Sequence, residues 1–230
     1  MSRQIVKLMV LPVVIFVLGA ILSFFIWNYV RASFLKQSLL DFESRVGDVA
    51  QLVEARLNRD VYMLYGVRGV FASSDNVSRA EFDTYARSIN FVENYPGVTG
   101  IAYQSLVKPE ERAGFTGLVR NDKSLNGVGY PSFAIYPEPN INSSSLVINY
   151  IYPLTASNSV AFGFDVFSDP YRKSTAEKAC DLNTAVVSGK VAVFPDKKDG
   201  FLITLPIYQN NTSTAAVAER REKIVGFVTA

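Results

Sequence analysis

The side chains best suited to hold a small molecule lie in one short stretch. From residue 143 to 149 the chain reads Ser-Ser-Ser-Leu-Val-Ile-Asn. Alternate residues of a strand share a face, so Ser143, Ser145, Val147 and Asn149 fall on one side and Leu146, Ile148 and Tyr150 on the other. The first face offers neutral donors and acceptors beside an apolar residue, the lining expected of a ligand pocket. The same pattern would also serve as the solvent face of an edge strand. Asp165 stands inside the apolar run Phe-Gly-Phe-Asp-Val-Phe (162–167). Buried there, it needs a partner, and Arg172 is the candidate. Tyr103 and Phe167 are candidate pocket walls or ordinary core aromatics. Cys180, on a helix with Ala176, reads as a small core residue.

Other chemistry is excluded by what the chain lacks. It contains no histidine, which removes His-based acid–base catalysis, the usual zinc enzymes and any phosphoacceptor histidine. No phosphate loop, nucleophile elbow or paired set of metal ligands is present. No catalytic residue, metal or cofactor is therefore expected. The single cysteine permits no intrachain disulfide, which suits a bacterial extracytoplasmic domain better than an animal one. Beyond Arg3 and Lys7 the basic and acidic residues balance, so no basic stripe for nucleic acid is expected.

The elements that must position these residues begin with a membrane span. Leu8 to Val30 carries no charge and exceeds the roughly 20 apolar residues that cross a bilayer. Arg3 and Lys7 precede it as cytoplasmic positives, and Trp27 and Tyr29 stand at the far interface. This predicts an uncleaved anchor in an inner membrane, with residues 31–230 outside the cytoplasm, in the periplasm. Leu39, Phe42, Val46, Val49 and Val53 then step by three and four, a heptad seam. A stalk helix is expected from about Arg31 to Tyr65. It either pairs with a second copy, giving a homodimer, or packs on its own domain.

Ser78 and Glu81 form a capping box, with Val77 and Phe82 as its hydrophobic staple, and predict a helix from Arg79 to about Asn90. Strands are expected at Val98–Leu106, Ser132–Tyr136, Leu146–Tyr152, Val160–Val166, Val191–Phe194, Phe201–Tyr208 and Ile224–Val228. A short helix opens at Pro109, and a longer one follows Asp169-Pro170 through about Leu182. The fold class is α+β, an antiparallel sheet with helices. The helix after Asp169 divides the strands into two groups, which fit one sheet or two small ones.

A set of segments carries a family resemblance. They are F-D-T-Y-A-R (82–87), Y-P-G-V-T-G-I-A-Y (95–103), K-P-E-E-R-A-G-F (108–115), Y-I-Y-P (150–153), A-F-G-F-D-V-F-S-D-P-Y-R (161–172), G-F-L-I-T-L-P-I-Y (200–208) and I-V-G-F-V (224–228). In this order and spacing, over about residues 45–230, they resemble the CHASE domain. That domain is the extracytoplasmic sensory part of membrane histidine kinases, adenylyl cyclases and diguanylate cyclases. The resemblance implies a non-enzymatic sensor of a small organic ligand, with a long N-terminal helix and tandem PAS-like antiparallel sheet units. On that plan residues 1–30 are the anchor and 31–66 the stalk. Residues 67–167 are the membrane-distal, ligand-binding unit, and 168–230 a membrane-proximal unit that ends short. Ser143, Ser145, Asn149, Tyr103, Asp165 and Phe167 are the expected ligand contacts. In plant cytokinin receptors an acid holds the adenine at a position matching about Ser143, and this chain has no carboxylate there. Cytokinin binding is therefore not expected. A membrane-tethered module that binds another protein is the alternative reading.

Overall fold

The computed structural model describes residues 3–193 and 198–230. The chain forms two compact units, Met1–Leu57 and Asn58–Ala230. Helix α1, Arg3–Ala72, runs through the first and into the second. Its first part holds an 18-residue window of mean hydropathy 2.3, long and apolar enough to cross a membrane. Leu39, Phe42, Val46, Val49 and Val53 are exposed. Farther along, Met63, Leu64, Val67 and Phe71 are buried, the three-and-four spacing of a helix face packed on a core. That packing carries the helix on to Ala72 rather than ending it near Tyr65.

The second unit is α+β, as expected. Its elements are α2 (Arg79–Ser88), α3 (Phe91–Asn94), β1 (Ile101–Val107), α4 (Arg112–Asn121), β2 (Ser145–Tyr152), α5 (Pro170–Leu182), β3 (Val186–Val187), β4 (Val191–Val193), β5 (Lys198–Gly200), β6 (Ile203–Tyr208), α6 (Val217–Lys223) and β7 (Ile224–Thr229). Five strands form one sheet in the order β2-β1-β7-β6-β3, and β4 and β5 form a separate ribbon. The strands on the two sides of α5, expected in tandem units, thus share a single sheet. The reason is that β7 pairs antiparallel with β1 as well as with β6.

One face of the sheet is covered by α5. Ala176, Ala179 and Cys180 pack there with Leu146, Ile148, Val166 and Phe227. Local signals explain where α5 begins and ends. The Asp169 side chain accepts from the backbone N–H groups of Tyr171 and Arg172 at 2.9 and 3.2 Å, Pro170 takes the first helical position, and Asn183 closes the helix with a φ of 50°. The opposite face carries aromatic residues that meet the helices. Phe71 of α1 lies 4.3 Å from the Tyr103 ring, Phe82 of α2 5.7 Å from Tyr150, and Phe91 of α3 5.9 Å from Tyr152.

Two expected strands are replaced by turns. Ser132–Tyr136 keeps a single bridge, Tyr136 to Phe164. Val160–Val166 becomes 3-10 turns around one further bridge, Val147 to Asp165. Gly163 explains the interruption. Its φ is +91°, and a Cβ there would strike the Ala134 carbonyl, so the chain bends where a strand would have to run straight. Phe194, the expected end of β4, lies outside the described residues.

Candidate functional site

The sheet face turned toward α1 and α2 borders a cleft of about 660 Å3, within the range of small-molecule sites. A single irregularity in β2 shapes it. Tyr103 pairs with Tyr150, but the next residue of β1, Gln104, pairs with Ile148. Asn149 is therefore an extra residue, a bulge, and beyond it the alternation changes phase. Tyr150, expected on the opposite side, joins the face of Tyr103 and Val147. Its ring lies 5.5 Å from Tyr103.

The cleft's cation is Arg79. The capping box fixes where α2 begins: Ser78 N–H donates to the Glu81 carboxylate at 2.7 Å and Glu81 N–H to Ser78 Oγ at 3.2 Å. Arg79 is the first helical residue, and its side chain is only 3% exposed. A cation is poorly placed at a helix N-terminus, and several groups offset the cost. Nε donates to Asp122 Oδ2 at 2.9 Å, and Nη1 donates to the Asn149 carbonyl. The guanidinium lies 4.4, 4.8 and 5.0 Å from the centres of the Tyr130, Tyr150 and Phe162 rings, each within cation–π range. Nη2 is buried with no hydrogen-bond partner among the described residues. Burial would raise the Asp122 carboxyl, but hydrogen bonds from Ser124 and the Arg79 charge bring it below its ordinary value.

Other groups complete the walls. Tyr150 O–H donates to the Val77 carbonyl at 3.0 Å, holding the segment before α2 against β2. Asn149 is 5% exposed and its Oδ1 is buried without a hydrogen-bond partner among the described residues. Asp75, Ser105 and Asn210 also border the cleft. The Asn210 amide donates to the carbonyls of Phe71 and Ser74 at 3.2 and 2.9 Å, the first of them a group that the end of α1 leaves open.

The CHASE domain family model matches residues 75–230, two thirds of the chain and all of the sheet. The chain belongs to the CHASE domain family. CHASE domains are extracytoplasmic sensors of signal-transduction receptors, sensory rather than catalytic. Among curated proteins none matches the chain.

The CHASE sheet places the expected residues in different surroundings. Tyr103 and Asn149 border the cleft; the other four lie elsewhere. Ser143 is exposed and its carbonyl accepts from Arg112. Ser145 is fully buried and its Oγ accepts from Arg112 Nη2 at 3.0 Å. Asp165 takes two backbone N–H groups, those of Leu146 and Phe167, each at 3.0 Å, so its burial is explained by tying β2 to the following turn. Arg172 has Asp169 at 3.4 Å and donates to the Ala192 carbonyl at 2.7 Å. Phe167 packs on the α5 side of the sheet. Sequence reasoning missed Arg79, Asp122 and Tyr150. The capping box pointed to the helix start next to Arg79, but nothing local marks its burial.

Tyr103 provides a pH test. Burial pushes its phenol from 10.0 up to about 12. The folded state therefore keeps a proton that the unfolded chain releases. The resulting stabilisation is complete below pH 10 and is lost as the pH rises through 12. Tyr103→Phe should remove on the order of 2 kcal/mol of that alkaline decline, measured as the difference in melting temperature between the variant and the unaltered chain across this window. Parallel curves would show that Tyr103 titrates normally.

Proposed function

We propose that this CHASE domain senses a small organic molecule bound in the cleft between α1, α2 and the sheet. The observation that carries the reading is the cleft itself, with two nine-tenths-buried polar side chains, Arg79 and Asn149, on its wall. The domain would stand in the periplasm of a bacterium, anchored in the inner membrane by the apolar part of α1. The five-stranded sheet would be its PAS-like core.

The test uses the full chain in detergent micelles. Cys180 is the only cysteine and is buried, so a thiol-reactive dye reports unfolding without any added label. A ligand at 100 times its Kd stabilises by about 2.7 kcal/mol, a melting shift of about 5–11 °C at 2–4 °C per kcal/mol for a chain of this size. A metabolite screen should yield such a shift, and Ser105→Phe, which fills the cleft, should abolish it. A screen without a shift, or a hit indifferent to Ser105→Phe, would reject the cleft as the sensor site.

The exposed seam of α1 supports a homodimer. Apolar residues from Leu39 to Val53 at heptad spacing gain burial when a second copy covers them. In sedimentation of the micelle-bound chain, Val46→Glu with Val49→Glu should convert dimer to monomer, since it puts like charges into that seam. Identical sedimentation of the two proteins would sink the pairing.

A further inference from the structure

The charges around the cleft are unequally open to it. Among the described residues, Asp75, Arg79 and Asp122 are the ionised side chains that border it. Arg79 is closed off: its side chain is 3% exposed, and Asp122 compensates it at 2.9 Å. Asp122 itself keeps 22% of its side chain exposed, and Asp75 is exposed with no ion pair among the described residues. The partial positive charge at the start of α2 is answered by Glu81, which accepts from the Ser78 N–H at 2.7 Å. What remains open is acidic. Wall charges act through their field, over a Debye length of about 8 Å at physiological ionic strength, so neither acid has to touch a ligand. That field reaches the wall. Burial raises the Tyr150 phenol above its ordinary value, and against the opposing Arg79 the charges of Asp122 and Glu81 raise it further.

Resting on the cleft as the ligand site, we infer that it selects by charge and takes a small organic cation, an ammonium group on an apolar or aromatic body. The ammonium lies in the field of Asp75 and Asp122. The body covers Phe115, Leu118 and Tyr150, which border the cleft and keep part of their surface open. An aromatic face adds its own attraction for a cation, as Tyr150 already shows toward Arg79 at 4.8 Å. Carboxylates and phosphates of the same size are repelled by the same field.

Three probes carry a cation, a hydroxyl and an anion on one phenyl body: 2-phenylethylamine, 2-phenylethanol and phenylacetate. Their binding to the full chain in nonionic detergent micelles is measured by saturation-transfer NMR titration, with protein-free micelles as the blank. The amine should bind about fivefold more tightly than the alcohol, and the carboxylate more weakly than either. In about 1 M salt, where the Debye length falls to about 3 Å, the amine should lose most of that advantage. Asp75→Asn should reduce the advantage, and Asp75→Lys should reduce it further while strengthening the carboxylate. Asp75 is exposed, so both variants should fold, which the Cys180 dye assay checks. Ser105→Phe should abolish amine binding. Binding of the alcohol or the carboxylate as tight as that of the amine overturns the inference. So does an advantage indifferent to salt and to Asp75→Lys, amine binding indifferent to Ser105→Phe, or no binding of any probe. The metabolite screen with Ser105→Phe judges the sensor reading separately, so a neutral or anionic metabolite in the cleft would refute the charge selection and leave that reading standing.

Discussion

Arg79→Ala should lower the melting temperature by about 6–12 °C. The substitution removes a buried cation that holds three elements together: α2, the end of α4 through Asp122, and β2 through the Asn149 carbonyl. Removing one partner of a buried ion pair costs about 3–5 kcal/mol. Asp122 keeps some contact with water, its side chain being 22% exposed, so the low end of that range applies. At 2–4 °C per kcal/mol, about 3 kcal/mol gives the stated shift. A pH profile separates the ion pair from mere loss of packing. The Asp122 carboxyl lies below its ordinary value because the Ser124 hydrogen bonds and Arg79 outweigh its burial. Its contribution is present at neutral pH and disappears as the pH falls through the depressed value. Arg79→Ala should therefore flatten the acid limb of the stability curve. Arg79→Met, which restores volume without charge, should recover part of the melting temperature but not the acid limb. If the alanine variant melts within about 2 °C of the parent, Arg79 is not the clasp described.

Gly226→Ala should cost a similar amount for a different reason. Gly226 lies in β7, opposite Ser105 of β1. A Cβ there would strike the Gln104 carbonyl and come within 2.9 Å of the Tyr103 ring. The carbonyl belongs to the middle strand pair of the sheet and cannot rotate aside. Overpacking of this kind costs typically 1–3 kcal/mol, and a fixed backbone obstacle puts Gly226→Ala near the top of that range, a melting shift of about 6–12 °C. The displaced Tyr103 would also distort the cleft, so ligand-induced stabilisation should shrink in step. Gly69→Ala is the control: nothing lies within 4 Å of its added methyl, and it should melt at or slightly above the parent temperature. Equal behaviour of the two alanine variants would contradict the close approach of β1 and β7.

Elements with local signals were legible in the sequence. The Ser78–Glu81 box placed α2, Asp169-Pro170 placed α5, and short apolar runs placed β1, β2, β6 and β7. Helix α6 was not legible, because Val-Ala-Glu-Arg-Arg-Glu-Lys has almost no apolar face. The site was harder to read for two physical reasons. One inserted residue at Asn149 reverses every later side chain of β2, and alternation cannot reveal a bulge. Arg79 is buried because Asp122, 43 residues away, meets it in space; neither residue announces the other. Asn149 borders the cleft because it forms the bulge itself, where the alternation that precedes it still holds, whereas Tyr103, a candidate wall only as a lone aromatic, lies on β1, which carries no inserted residue. Ser145 shares the correct face but lies farther along it, against Arg112 of α4.

Asn210 has a thermodynamic consequence. Its one amide group grips the Phe71 carbonyl in the last turn of α1 and the Ser74 carbonyl just beyond it, while its residue borders the cleft. Any occupant that strengthens this grip makes the final turn of α1 harder to unwind. By reciprocity, whatever loosens that turn must weaken the occupant's affinity by the same factor. On the proposed reading such a sensor would not be a passive reader of concentration. Its sensitivity would be adjustable from the helix, and strain applied to the end of α1 would appear in a dose–response curve as a shifted midpoint with no change in the cleft's own side chains.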